Sequence, residues 1–147
     1  MEDIKPFLTD GSMLGIKAND AVSKLYISIS KDLIEEVKTK DTKIHRYKTT
    51  ESDIEFYSAQ NIIFGVIIKF WNNEQYYFGN GYPPINASTS LYEFLSMIET
   101  LSITWKIATN DTHGSTLCIK LSSNIYCFFD LERQELVKIG TSDNRME

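Results

Sequence analysis

Two periods run through the apolar positions of this chain, and the places where one gives way to the other mark out its elements. Val22, Leu25, Tyr26 and Ile29 recur at helical spacing, and Leu33, Ile34 and Val37 share one helical face of Lys31 to Lys38. Asn19 or Asp20 supplies a capping oxygen in front of the first of these segments. The serine-rich, β-branched stretch Ser28 to Ser30 allows either a kink or one continuous helix. Upstream, Pro6, Asp10-Gly11 and Gly15 predict at most a short helical turn and then an irregular lead-in.

From Thr42 the period becomes two. Ile44, Arg46 and Lys48 alternate with His45 and Tyr47, and Ile54 and Phe56 alternate with Asp53, Glu55 and Tyr57. Asn61 to Trp71 is apolar on both parities, as a central strand covered on both sides would be, and Asn72-Asn73 reverses the chain into Gln75 to Phe78. These runs predict a meander of about four antiparallel strands. Gly79-Asn80-Gly81-Tyr82-Pro83-Pro84 then divides the chain into halves.

The second half repeats the order. Ser90-Leu91-Tyr92-Glu93 has the form of a capping box ahead of the apolar stripe Leu91, Phe94, Leu95, Ile98 and Leu101. Strands follow at Ile103 to Ala108, Ser115 to Leu121, Asn124 to Asp130 and Glu135 to Ile139. The predicted fold is α+β: antiparallel meander sheets covered on one face by helices, built from a duplicated helix-plus-four-strand unit with pseudo-repeats at 15–79 and 88–140. Ser58-Ala59-Gln60-Asn61-Ile62 against Ser122-Ser123-Asn124-Ile125 is the short text match behind the duplication. Alternation points Ile54, Phe56, Leu117, Ile119, Leu121, Ile125 and Phe129 to the helices. Glu55, Tyr57, Cys118, Lys120, Tyr126, Phe128 and Asp130 point away.

Composition narrows the partners. The chain has 147 residues, 42% hydrophobic and 24% charged, which suits one domain over 1–147 that needs no metal or disulfide staple. The start, Met1-Glu2-Asp3-Ile4, lacks a basic segment and an apolar core, so no secretory signal is expected. The apolar run Ile62 to Ile68 is too short to span a bilayer, which makes a cytoplasmic protein with no membrane partner the expectation. Cys118 and Cys127 are then reduced thiols packed as small hydrophobes. A formal charge of −5 argues against nucleic acid and suits a basic protein surface instead.

No catalytic constellation emerges, and neither metal nor cofactor is expected. His45 and His113 have no ligand-spaced companions and are expected at the surface. Asp111 and His113 lack the elbow that would present a serine to them. Glu35 and Glu36 are adjacent on a predicted helix and diverge, and Gly79-Asn80-Gly81 lacks the third glycine of a dinucleotide loop. Aromatic residues instead accumulate mid-chain at Phe70, Trp71, Tyr76, Tyr77, Phe78 and Tyr82. Trp71 and Tyr77 fall on the parity opposite Phe70, Tyr76 and Phe78, hence on the open face or edge. The candidate partner-binding residues are Glu55, Tyr57, Trp71, Glu74, Tyr77, Tyr82, Tyr126 and Asp130.

Leu14-Gly15-Ile16-Lys17 followed by Asn19-Asp20-Ala21-Val22, and the ending Ser123-Asn124-Ile125-Tyr126-Cys127-Phe128-Phe129-Asp130 with Leu136-Val137-Lys138-Ile139, carry a resemblance. They resemble the opening and final strands of immunity proteins of bacterial polymorphic and contact-dependent toxins. Some of these share a tandem helix-plus-sheet layout with β-lactamase inhibitor proteins. The resemblance implies a cytoplasmic inhibitor that occludes the active site of a cognate toxin, with a basic nuclease domain as the partner that acidic charge would complement. A non-catalytic interaction or regulatory module unrelated to toxins is the alternative.

Overall fold

The period-two stretches assemble into one antiparallel sheet. The computed structural model describes residues 1–141, in which the sheet has eight strands in the order β1-β2-β3-β4-β10-β9-β8-β7. β1 (Ile34–Lys38), β2 (Lys43–Lys48), β3 (Asp53–Ala59) and β4 (Ile62–Lys69) run from one edge to the centre. β7 (Trp105–Ile107), β8 (Thr116–Leu121), β9 (Ile125–Asp130) and β10 (Glu135–Thr141) run from the other edge to the centre. β5 (Gln75–Tyr76) and β6 (Ile85–Asn86) form a separate two-stranded ribbon, and the helices are α1 (Lys5–Asp10), α2 (Val22–Ser28) and α3 (Leu91–Thr100).

Several elements differ from expectation. Lys31 to Lys38 is not a helix: a 3-10 turn at Lys31–Leu33 leads into edge strand β1, whose residues pair with Lys43 to Tyr47. A short run with apolar residues at Leu33, Ile34 and Val37 fits either period, and pairing with β2 satisfies its backbone groups in a way that a lone helical turn would not. Gln75 to Phe78 is not the last strand of the first meander. Its first two residues pair with Ile85–Asn86 around the Gly79–Pro84 turn, where Gly79, Asn80 and Gly81 all have left-handed φ. Tyr76 anchors this ribbon to the sheet, since its buried hydroxyl accepts from the Asp53 N–H at 2.9 Å.

α2 is capped differently from expectation. Ala21 is its N-cap, while the Asp20 carboxylate accepts from the Lys17 N–H at 3.0 Å and pairs with Lys24 at 3.2 Å. Ile29 is already extended, so the chain stops rather than kinks after Ser28. The N-terminal stretch is more ordered than its turn signals imply. Pro6 sits in the first turn of α1, where a missing N–H costs nothing, and Gly11 closes the helix in the left-handed conformation. Ile4, Phe7 and Leu8 are thereby fully buried.

α3 forms as expected. Ser90 Oγ accepts from the Glu93 N–H at 3.1 Å, and Phe94, Met97 and Ile98 are buried, the Phe94 ring meeting Phe129 edge-on at 5.5 Å between centroids. The core draws on all three helices and on one side-chain parity of the sheet, including Phe56, Val66, Ile68, Ile119, Cys127, Phe129 and Ile139. β9 shows the alternation plainly, since Ile125, Cys127 and Phe129 are buried and Tyr126, Phe128 and Asp130 are half-buried between them.

The text match behind the expected pseudo-repeats joins hairpins that are not equivalent in strand order. Gln60 and Asn61 turn β3 into β4, whereas Asn124 turns β8 into β9; by position the counterpart of the former is the β9–β10 reversal, where Gln134 is left-handed. Left-handed turn positions favour amide side chains wherever they occur, which accounts for the recurrence.

Among the described residues, the strands of the two meanders pair with one another only at β4 and β10, through Lys69 with Lys138, Ile68 with Ile139 and Ile67 with Gly140. A Cβ at position 140 would stand 3.1 Å from both Ile67 Cγ1 and Val66 O. Gly140→Val is therefore expected to cost about 1–3 kcal/mol by overpacking this seam. A urea denaturation midpoint equal to that of the unsubstituted protein would contradict the expectation.

Candidate functional site

The parity opposite the core forms a cross-strand row over the whole sheet: Glu35, Arg46, Glu55, Ile67, Gly140, Tyr126, Lys120 and Lys106 stand opposite one another in turn. A second row beside it runs Lys69, Lys138, Phe128 and Cys118. Strand pairing fixes these positions, so the rows follow from register alone.

Charge on this face is arranged in two ways. Toward β1 the ions are paired. The Arg46 guanidinium donates from Nε to Asp53 Oδ1 at 3.0 Å and from Nη2 to Oδ2 at 2.7 Å, a two-pronged contact with a fully buried carboxylate. Lys69 Nζ lies 2.9 Å from Glu55 Oε1, which also accepts from the Tyr57 hydroxyl at 2.9 Å. Burial first, and then the Glu55 carboxylate, push the Tyr57 phenol far above its ordinary value, so it remains a donor. Toward β7 the cations sit on rings instead: Lys138 is 4.8 Å from the Phe128 centroid and Lys120 is 5.6 Å from that of Tyr126. At the boundary Lys69 also lies 4.1 Å over Trp71.

The residues singled out from sequence separate into two groups. Glu55, Tyr57, Tyr126 and Asp130 share the sheet face, and Trp71 joins them through Lys69, with 59% of its surface exposed. Glu55 and Tyr57 are buried within their own network rather than displayed. Asp130 also anchors the β9–β10 turn, accepting from the N–H groups of Glu132 and Arg133 at 3.0 and 3.1 Å.

Tyr77, Tyr82 and Glu74 belong elsewhere. The Tyr77 N–H bonds to the Glu2 carbonyl and its ring lies 4.7 Å below Lys5 Nζ, which places it against the N-terminal segment. Tyr82 meets Phe78 edge-on at 5.8 Å. Glu74 is buried and accepts from the Asn72 N–H at 2.7 Å, closing a loop. Arg46, Asp53, Lys69 and Lys138 are members of the face that reading the chain missed. Alternation places each of them, but their pairing depends on which strands become neighbours.

His45 corrects the expectation of a surface histidine. It is buried under α2, with Nδ1 2.9 Å from the Tyr26 hydroxyl and Nε2 2.8 Å from Ser58 Oγ, and Glu36 lies 3.9 Å from Nδ1. This connectivity resembles a serine–histidine–acid relay, but Ser58 is only 2% exposed, buried near the end of β3, where no substrate carbonyl can reach it. The network ties α2 to β2 and β3. His113 is exposed and forms an isolated bridge with Thr116. Cys118 and Cys127 are free and buried on opposite parities, because Cys118 pairs with Phe128 and Cys127 with Ile119. Burial pushes the Cys118 thiol up to about 12 and that of Cys127 well above its ordinary value, so neither is a ready nucleophile.

Among the described residues no group of three or more His, Cys, Asp or Glu side chains is placed to hold a metal ion, and no helix is long and apolar enough to cross a membrane. Comparison with protein-family models, with curated proteins and with solved structures finds no match to the chain.

Two outcomes follow for this face and its support. Arg46→Ala leaves the buried Asp53 carboxylate without its cation and is expected to cost about 2 kcal/mol, between the surface and fully buried limits for ion pairs. Chemical denaturation measures it, and a loss within error of zero would mean that Asp53 is satisfied by its surroundings. His45 has its proton affinity lowered by burial, against the opposing pull of Glu36, so the folded protein holds it neutral. The unfolded chain takes up that proton near the ordinary value of 6.5; stability is full above this pH and falls as pH drops through it toward the lowered folded-state value. In His45→Gln that part of the acid-side loss should vanish, and a pH–stability curve parallel to that of the unsubstituted protein would contradict the assignment.

Proposed function

We propose that this protein is a non-catalytic inhibitor that binds another protein on the sheet face opposite its core, and that it acts as the cytoplasmic immunity protein of a bacterial toxin. The observation that carries the binding reading is the face itself, with charged groups fixed by ion pairs or seated on aromatic rings across adjacent strands and Trp71 exposed among them. Fixed side chains lose little entropy on docking, and Trp, Tyr and Arg are the residues that most often dominate binding energy. A buried histidine network in place of an open one, and thiols that stay protonated, favour recognition over chemistry.

The helices cover the other side of the sheet in this reading, and the layout fits a duplicated helix-plus-four-strand unit whose last strands meet at the centre. The toxin reading rests on the resemblance of the chain's opening and ending to immunity proteins. Net charge of −5 steers a basic partner such as a nuclease domain over long range, with Asp32, Glu35 and Glu36 at the β1 edge contributing to that field.

Co-expression with the toxin-sized product of the adjacent gene tests the biological reading, since unchanged lethality would remove it. Trp71→Ala tests the face: it should leave the thermal midpoint within a few degrees and weaken partner binding by about 2 kcal/mol or more, close to thirtyfold. Unaltered affinity would move the contact elsewhere, and Tyr77→Ala, against the N-terminal segment, should have the smaller effect of the two.

A further inference from the structure

The two outer edges of the sheet are unequal. β1 is guarded by charge, with Glu35, Glu36 and Lys38 among its five residues. β7 is only three residues long and exposes apolar side chains, with Trp105 45% and Ile107 51% accessible. Both share parity with buried partners, Trp105 with Leu121 and Ile107 with Ile119, so they extend the core-side surface beyond α3. A groove of about 560 Å³ lies there, lined by Tyr92, Leu95, Glu99, Ile103 and Trp105 among others.

The main chain of this edge is also open. Thr104 accepts from the Ser122 N–H and Ala108 donates to the Cys118 carbonyl, so the even-numbered residues face β8. The N–H and C=O groups of Trp105 and Ile107 therefore point outward to the free edge. On the opposite parity Lys106 stands directly across from Lys120, and the two line a second groove of about 270 Å³. Like charges opposite one another destabilise a sheet, and neither lysine belongs to any ion pair of the described residues.

We propose that β7 is a strand-addition site for an extended segment of a partner protein that carries an acidic residue between two apolar ones. Its main chain bonds to Trp105 and Ile107, and its apolar side chains continue the surface over the α3 groove. The acid, opposite Lys106, neutralises the Lys106–Lys120 pair on the other side. A second copy of the chain is disfavoured as occupant, because antiparallel pairing of two β7 edges brings both lysine pairs together. The site adjoins the sheet face, sharing Lys106 and Lys120 with the end of its outer row, but it does not rest on the proposed function of that face.

Amide hydrogen exchange and chemical-shift mapping on the full-length protein test the proposal, with blocked pentapeptides as probes. Thr-Val-Glu-Val-Thr should slow exchange at the Trp105 and Ile107 amides and shift the signals of residues 104–108. A Lys-centred counterpart should bind more weakly by about fivefold, the upper range for a cross-strand charge pair. Thr-Ser-Glu-Ser-Thr, without apolar arms, should give no protection. Lys106→Glu is exposed and not expected to disturb folding; it should reverse the preference between the Glu- and Lys-centred peptides. The proposal is overturned if the Glu-centred peptide leaves both amides unprotected at millimolar concentration, or if both peptides bind equally. Protection that appears without peptide as the protein self-associates would equally overturn it and assign the edge to a second copy.

Discussion

The pairing of β4 with β10 is the interaction on which the rest of the structure depends. Each meander is held together by pairing between consecutive strands, but among the described residues the two halves become one sheet through Lys69–Lys138, Ile68–Ile139 and Ile67–Gly140. That seam joins segments about seventy residues apart along the chain, a distance over which loop-closure entropy must be overcome before the contact is rewarded. Gly140 permits the close approach, since any larger residue would meet Ile67 and the Val66 carbonyl. Ile68 and Ile139, both fully buried, supply the apolar part of the join.

The seam also sets the chemistry of the outer face. It places Lys69 opposite Lys138, an arrangement that Glu55 relieves from one side and the Phe128 ring from the other. The face therefore passes from a paired half around Arg46, Asp53 and Glu55 to a ring-supported cationic half around Lys138 and Lys120. Net charge and local charge are separate quantities here. The chain is acidic as a whole, while the cationic half of this face offers positions for carboxylates.

On the core side, polar groups are used sparingly and satisfied. His45, Ser58 and Tyr26 hold α2 against β2 and β3, and Tyr76 fixes the ribbon to the start of β3. No buried side-chain nitrogen or oxygen among the described residues lacks a hydrogen-bond partner. Such networks specify one arrangement of neighbouring elements, because any other would strand a buried polar group.

How much of this could be read in the chain depends on the range of the interactions involved. The capping box at Ser90, the apolar stripe of α3, the alternation of β8 and β9 and the Gly79–Pro84 turn are local patterns, and periodicity and turn chemistry were sufficient for them. Four of the candidate binding residues, Glu55, Tyr57, Tyr126 and Asp130, were assigned to the correct parity for the same reason, because a strand alternates whatever lies beside it. Lys31 to Lys38 was misread as helical because eight residues fit either period, and only the presence of β2 alongside makes the strand the better solution. His45 looked like a surface residue because burial under α2 leaves no mark on its neighbours Ile44 and Arg46. The order of strands, the Lys–Lys pairs, the Arg46–Asp53 contact and the open edge at β7 arise from register between distant segments. Sequence by itself determined which residues alternate and where the chain turns; tertiary structure alone decided which of them meet, because pairing energy belongs to both strands and is encoded in neither.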